Sequence, residues 1–290
     1  MKSIIRKVLD MALSPVSEAI ASIRQDGLNN QVSQRQLFSH YQTIKNQGLP
    51  LPRFDDTGFR VYSQCDEDGL LLYIFSLIGF TNKICVDMAF GSPYGANTTN
   101  LICNWGFHGL LVEGENSPTT FFELHKDTTI FPPKLLHAWI TAENVNDLCL
   151  KNEIAGEIDL FSLDMDGGDY WIWKSLDIIS PRVIIVEYND ILGHEKALTV
   201  PYRPDFDRFK VHEDFCGASL AAYVKLARQK GYRLVGVNRY GFNAFFVKNG
   251  IAEDVLPELT DISTCFTHPK IERGIKERYP AIKDLPWIEV

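Results

Sequence analysis

Four segments that read as β-strands deliver carboxylates at their ends. Lys83–Asp87 ends on Asp87, Gly109–Glu113 on Glu113, Ile158–Leu163 runs into Asp164, and Val183–Glu187 closes on Glu187. In an open parallel sheet, ligands bind outside the carboxyl ends of the strands. Acids at four neighbouring strand ends therefore predict a crevice lined with anionic acceptors, suited to hydroxyls, an ammonium or a divalent cation. It does not suit a triphosphate, and the chain carries no G-x-x-x-x-G-K-[ST] loop. Glu113 stands 26 positions after Asp87, at the end of the following strand. That is where the ribose hydroxyls of a nucleoside cofactor take a bidentate acceptor. Asp87 opens a tight loop in which Ala89 and Gly91 let the backbone approach a ligand closely. G-x-G-x-x-G is absent, and an ordinary strand-to-helix turn fits the same loop residues.

The segment after the Ile158–Leu163 strand carries three acids, Asp164, Asp166 and Asp169, and the next strand ends in Glu187-Tyr188-Asn189-Asp190. Hard oxygen ligands on adjacent strand ends suit Mg²⁺ or Ca²⁺, with Asp164, Glu187 and Asn189 or Asp190 as the ligand set. The competing reading has Asp166 and Asp169 capping the following helix, with Asp164 alone facing a ligand. His194 and His212, in the stretch beyond Glu187, are the candidate general bases. Tyr170, Trp171 and Trp173 either stack on a sugar face or pack against the sheet. The irregular insertion Pro201–Asp207 is expected to lie over the crevice and to carry acceptor specificity.

These residues need a scaffold of alternating elements. Helical stretches are expected over Asp66–Ile78, Thr98–Trp105, Pro118–His125, Asn144–Lys151, Tyr170–Leu176 and Ser219–Lys230. Between them lie the four strands above, a further strand near Leu135–Ile140, and two late ones at Tyr232–Val237 and Asn243–Val247. Short apolar strands separated by helices mean a mainly parallel α/β sheet covered on both faces. The first 50 residues read as helices, one of them over Ser33–Asn46 with Ser33 as its N-cap. Residues 2–13 show an amphipathic face, suited to packing on the main domain or a sister subunit, or to a membrane surface. The expected organisation is an N-terminal helical extension (1–55), a main domain (56–258), and a peripheral C-terminal helix and tail (259–290).

With 29 basic and 37 acidic residues the net charge is −8, and no Lys/Arg block appears. That field repels phosphate backbones and argues against a nucleic-acid partner. The six cysteines show no C-x-x-C spacing and are expected as core thiols in a reducing compartment. No run of about 18 apolar residues spans a membrane, and no signal peptide is evident. A cytoplasmic location is expected.

At the acidic segment the sequence resembles the FkbM family of S-adenosylmethionine-dependent methyltransferases. That family shows a strand followed by D-x-E-G-x-E, matched by Asp164-Met165-Asp166-Gly167-Gly168-Asp169 with Asp at each Glu. A bacterial branch carries S-Q-x-x-E-D-G, matched by Ser63–Gly69. It also carries E-x-G-x-G-x-G followed by N-T, matched in part by Asp87, Gly91, Asn97 and Thr98, with Ala89 and Pro93 replacing two glycines. Its G-A-S-L, K-G-Y and N-A-F-F-V motifs stand at Gly217, Lys230 and Asn243. The resemblance covers residues 60 to 250. It implies a Rossmann-like class I methyltransferase fold, a seven-stranded sheet whose last strand is antiparallel. It makes Glu113 the ribose acceptor, Asp87 and the Gly91 loop the neighbours of the methionine end, and Asn97 and Thr98 part of the cofactor region. The resemblance also implies that Gln64 and Glu67 would close over the cofactor, that Glu143 and Asn144 would flank the adenine, and that Asp164 would lie beside the sulfonium and acceptor.

The expected activity is O-methylation of a sugar, surface glycan or related metabolite, with Mg²⁺ as a further cofactor where the acids hold one. A catalytically degenerate binding protein, an NAD dehydrogenase and a nucleic-acid methyltransferase are the competing readings. Association through the N-terminal helices into a homo-oligomer is a further expectation.

Overall fold

The computed structural model describes residues 31–114 and 132–290. The amphipathic stretch 2–13 and the expected helix Pro118–His125 lie outside them. Seven strands form one sheet: β1 (Ile84–Met88), β2 (His108–Glu113), β3 (Lys134–His137), β4 (Gly156–Leu163), β5 (Ile179–Glu187), β7 (Tyr232–Val237) and β8 (Asn243–Lys248). Their order is β3-β2-β1-β4-β5-β8-β7, with β8 antiparallel to both of its neighbours. This is a Rossmann-like α/β arrangement, a seven-stranded, mainly parallel sheet whose last strand is antiparallel, as expected. The remaining pair, β6 (Leu198–Thr199) and β9 (Ile288–Glu289), joins the insertion after β5 to the end of the chain.

Alternation along the strands sorts side chains into two cores. Val86, Met88, Leu110, Val112, Ile184, Val186 and Phe246 face helices Val145–Lys151, Asp169–Ser175 and Leu220–Lys230. Cys85, Leu111, Leu160, Ile185, Phe245 and Val247 face helices Glu67–Ile78 and Thr99–Trp105. A period of two with both faces covered is the pattern of a buried parallel sheet. β1 and β2 approach so closely at Gly109 that a Cβ there would lie 1.9 Å from the Cys85 carbonyl oxygen.

The helix over 31–46 runs through Ser33, so that residue is not an N-cap but an exposed interior position. Its inner face docks on helix Thr99–Trp105. Gln34 is buried, donates to Asn100 Oδ1 at 3.1 Å and accepts from Trp105 Nε1 at 2.9 Å. Phe38 packs against Phe80 and Trp105. The C-terminal segment is also no loose appendage. Ile271 of helix Pro269–Glu277 is fully buried, and Gly274 sits where a Cβ would come within 3.0 Å of Ile191. Among the described residues, no helix is long and apolar enough to cross a membrane. The six cysteines are free thiols, Cys85 and Cys149 fully buried.

Candidate active site

Register decides which strand-end acids meet. Met88 pairs with Val112 and with Leu163, and Leu163 pairs with Val186. The next residues, Ala89, Glu113, Asp164 and Glu187, therefore form one row at the carboxyl edge. Asp87 is not in that row, because it pairs with Leu111 and Ser162. Its side chain turns inward and is only 3% exposed. The Thr98 hydroxyl donates to Asp87 Oδ2 at 2.7 Å, and Asn97 Nδ2 donates to Ser162 Oγ at 3.3 Å. Burial pushes the Asp87 carboxyl up to about 7. Asp87, Asn97 and Thr98 thus brace the loop from beneath and line neither of the two cavities described here.

The larger cavity, about 600 Å³, opens over β2, β1 and β4. Ala89, Gly91, Glu113, Trp139, Ile140 and Asp164 line its floor. Ala89 has φ 64, a left-handed conformation that favours glycine, and Gly91 follows at φ 62. The Gly91 N–H donates to Glu113 Oε2 at 2.7 Å, fixing the carboxylate at the cavity wall. Phe206, Arg208 and Phe209 of the insertion after β5 form the roof, so that insertion covers this cavity. A smaller cavity of about 320 Å³ lies over β4 and β5. Asp164, Asp166 and Arg208 line both cavities.

Asp164, Asp166 and Glu187 bring carboxylate oxygens within 4.8 Å of one another. Burial, helped by the neighbouring Asp169 and Asp166 charges, pushes Asp164 up to about 7. Burial and the Asp164 charge push Glu187 well above the carboxylate range. The two carboxyls act on each other, and this contact raises Glu187 further while it lowers Asp164. Asp169 accepts from the Met165 and Gly167 N–H groups at 2.7 and 2.9 Å, so it closes the loop while Asp166 reaches the cavities.

Several expected site residues stand elsewhere. Asn189 lines the smaller cavity, but its amide donates to the Asp214 and Cys216 carbonyls, both at 3.0 Å. Asp190 pairs with Lys270 at 2.7 Å. Neither belongs to the carboxylate cluster. Gln64 lines the smaller cavity rather than the larger. Glu67 is fully buried and accepts from Asn238, Asn243 and the Cys65 N–H, a structural latch with no face left for a cofactor. Glu143 is exposed and accepts from the Tyr202 hydroxyl at 2.5 Å, which holds its carboxyl below the usual range. Asn144 donates to the Trp139 carbonyl and accepts from the Thr141 N–H, so it pins the turn that presents Trp139 and Ile140. His194 is exposed and packs on the Phe266 ring, and His212 Nδ1 accepts from the Asp214 N–H. Neither histidine lines either cavity. Tyr170 and Trp173 are buried in the core, and Trp171 donates to the Val200 carbonyl.

Among solved structures, the chain is similar to the pyocyanin biosynthetic protein PhzM, at 12% identity over 60% of this chain and 53% of that one, with a TM-score of 0.35. It is similar to the O-methyltransferase NcsB1 of neocarzinostatin biosynthesis, solved with S-adenosyl-L-homocysteine and 1,4-dihydroxy-2-naphthoic acid. That match has 13% identity, 58% and 49% coverage and a TM-score of 0.34. An O-methyltransferase family protein from Burkholderia thailandensis matches at 11% identity, 63% and 57% coverage, and a TM-score of 0.34. The chain spans about half the length of these proteins. No protein-family model matches it, and no curated protein does.

Three cations at the site carry no local mark in the sequence. Arg208 pairs with Asp166 at 2.5 Å, Lys270 with Asp190, and Arg278 with Asp214. Lys270 also lies 4.0 Å above the Phe242 ring. Lys270 and Arg278 come from the C-terminal segment, which walls the smaller cavity rather than lying at the periphery. The one available signal is indirect: so many acids on adjoining strand ends require cations from somewhere.

Proposed function

We propose that the chain is an S-adenosylmethionine-dependent O-methyltransferase acting on a hydroxyl of a sugar, surface glycan or related polyhydroxylated metabolite. The observation that carries this reading is the meeting of two cavities at Asp164, one holding the Glu113 carboxylate and the other lined by charge pairs. The first fits an adenosyl cofactor by its donor set. Glu113 accepts a ribose diol, the Ala89–Gly91 loop leaves open space at Gly91, and Trp139 and Ile140 flank a flat base. Asp164 then stands at the sulfonium end. The FkbM resemblance of the Asp164–Asp169 loop supports the same cofactor. The second cavity favours a polyol. Its aromatic face at Phe242 is covered by Lys270, so a ligand there is held by hydrogen bonds and not by stacking.

S-Adenosylmethionine, when bound, supplies the methyl group as an electrophile. The protein's part is position and proton transfer. Asp164, with a carboxyl near 7, is matched to accept the proton that an acceptor hydroxyl loses at neutral pH. Asp164 is then neutral and passes that proton to solvent as the products leave. Asp164, with Glu187 beside it, replaces His194 and His212 as the proton-handling group.

A divalent cation is a second reading, favoured by the three carboxylates within 4.8 Å of one another. Asp164, Asp166 and Glu187 would hold it and would orient the acceptor oxygen. Titration calorimetry separates the readings. S-Adenosylmethionine and S-adenosylhomocysteine should bind where NAD does not, and transfer of labelled methyl to a glycan panel should follow. Binding of NAD alone would sink the proposal. Mg²⁺ uptake that is lost in Asp166→Asn would establish the cation.

A further inference from the structure

Asp164, Asp166 and Arg208 frame the opening between the two cavities, and Arg208 is the cation among them. Arg208 begins the short turn Arg208–Lys210 in the insertion that roofs the larger cavity. Its Nη1 lies 2.5 Å from Asp166 Oδ1 and 3.8 Å from Cys216 Sγ, and its guanidinium sits 5.0 Å over the exposed Phe209 ring. Its Nε is buried with no hydrogen-bond partner. A guanidinium has five N–H donors, and a buried one left unmade costs free energy. Arg208 is thus held at this opening below its bonding capacity. Asp166, which holds it, sits at φ 55. Asp tolerates that left-handed region better than most residues, and the turn it makes there directs its carboxylate at Arg208.

The same opening is where the cofactor's sulfonium end lies in the reading proposed above, on which this inference rests. A sulfonium there and the guanidinium would both draw on Asp166, the acid that pairs with Arg208. The guanidinium requires directed acceptors, whereas a sulfonium requires only a negative field. Two cations a few ångströms apart in a partly water-excluded cleft repel strongly. The demethylated product S-adenosylhomocysteine carries no such charge and leaves the ion pair undisturbed.

We propose that Arg208 is the resident counter-cation of this opening, displaced by the charged cofactor and restored around the neutral product, so that it sets the relative affinity for the two. The wild-type protein then holds S-adenosylhomocysteine more tightly than S-adenosylmethionine. Arg208 is a positioning residue here: it governs which form of the cofactor the site prefers.

The test is calorimetric binding of both nucleosides to wild type, Arg208→Gln and Arg208→Lys. Arg208→Gln should lower the ratio of the S-adenosylmethionine Kd to the S-adenosylhomocysteine Kd by about tenfold, the effect of removing one nearby like charge. Arg208→Lys keeps the charge and should leave the ratio near wild type. An unchanged ratio in Arg208→Gln overturns the proposal. A second measurement needs no variant. Amide exchange over 208–210 in wild type should rise with S-adenosylmethionine and not with S-adenosylhomocysteine; an equal response to both overturns displacement. Failure of the underlying cofactor reading looks different, because wild type then binds neither nucleoside, and the role of Arg208 falls with it.

Discussion

Glu113 is held at the wall of the larger cavity, where its carboxylate accepts from the Gly91 N–H at 2.7 Å. A ribose diol would add hydrogen bonds to this carboxylate, and each hydrogen bond to a charged acceptor is worth about 1.5–3 kcal/mol. Glu113→Gln keeps an acceptor for Gly91 but loses the charge and one acceptor. S-Adenosylhomocysteine affinity should fall about tenfold to a hundredfold by calorimetry, with the thermal midpoint little changed. The Asp164–Glu187 pair supports a second expectation. Glu187→Ala removes the partner that lowers the Asp164 carboxyl, which should then titrate above about 7, while Glu187→Gln keeps a donor and should leave it nearer that value. A ¹³C-carboxyl titration reads this directly, and an unmoved or falling midpoint in Glu187→Ala contradicts the pairing. Glu113 and Asp164 were legible from sequence because a strand-end acid is positioned by register, which a short apolar run fixes locally. Arg208, Lys270 and Arg278 meet their acids across 42, 80 and 64 positions, so no local pattern announces them. The histidines were misleading because proximity in sequence to Glu187 does not turn a side chain toward the cavity.

At the scale of elements, the site exists because β1 and β2 align Ala89 with Glu113. The register depends on Gly109, at φ 141, whose missing Cβ leaves room for the Cys85 carbonyl. An added methyl would meet backbone, which cannot rotate away. Gly109→Ala should therefore destabilise the protein by about 3 kcal/mol or more in urea unfolding and weaken nucleoside binding with it. Unchanged stability would mean that the strands can separate without cost. The core strands and helices were readable because alternating and 3.6-residue apolar patterns report burial directly. The two-residue pair β6 and β9 was not, since strands that short show no period and the partners lie at opposite ends of the C-terminal third. The C-terminal helix read as peripheral for a related reason. Its polar exterior dominates the composition, while Ile271 and Gly274 carry the buried contact.

Across the whole molecule, buried acids are arranged so that stability and function oppose each other. Burial raises Asp68 to about 6 and Asp87 and Asp164 to about 7, and lifts Glu187 well above its usual range. In the unfolded chain all four ionise near 4. Between about pH 4 and 7 the folded state therefore binds more protons than the unfolded one, and stability falls as pH rises. Asp159 works in the opposite sense. The Arg182 guanidinium at 2.8 Å, with the Lys83 and Thr81 N–H groups, holds its carboxyl low despite burial, so its contribution is present above about pH 4 and lost below. The two trends place maximal stability near pH 4–5. Urea midpoints should drop from pH 5 to pH 8 by the equivalent of about 2 kcal/mol or more, at about 1.4 kcal/mol per proton per pH unit. Asp87→Asn, which keeps an acceptor for the Thr98 hydroxyl but cannot ionise, should flatten that decline and raise the midpoint at pH 8. A midpoint that rises toward pH 8 in wild type would mean that these acids ionise in the folded state as freely as in the unfolded one. Asp164 could not then carry the raised carboxyl on which the transfer chemistry depends.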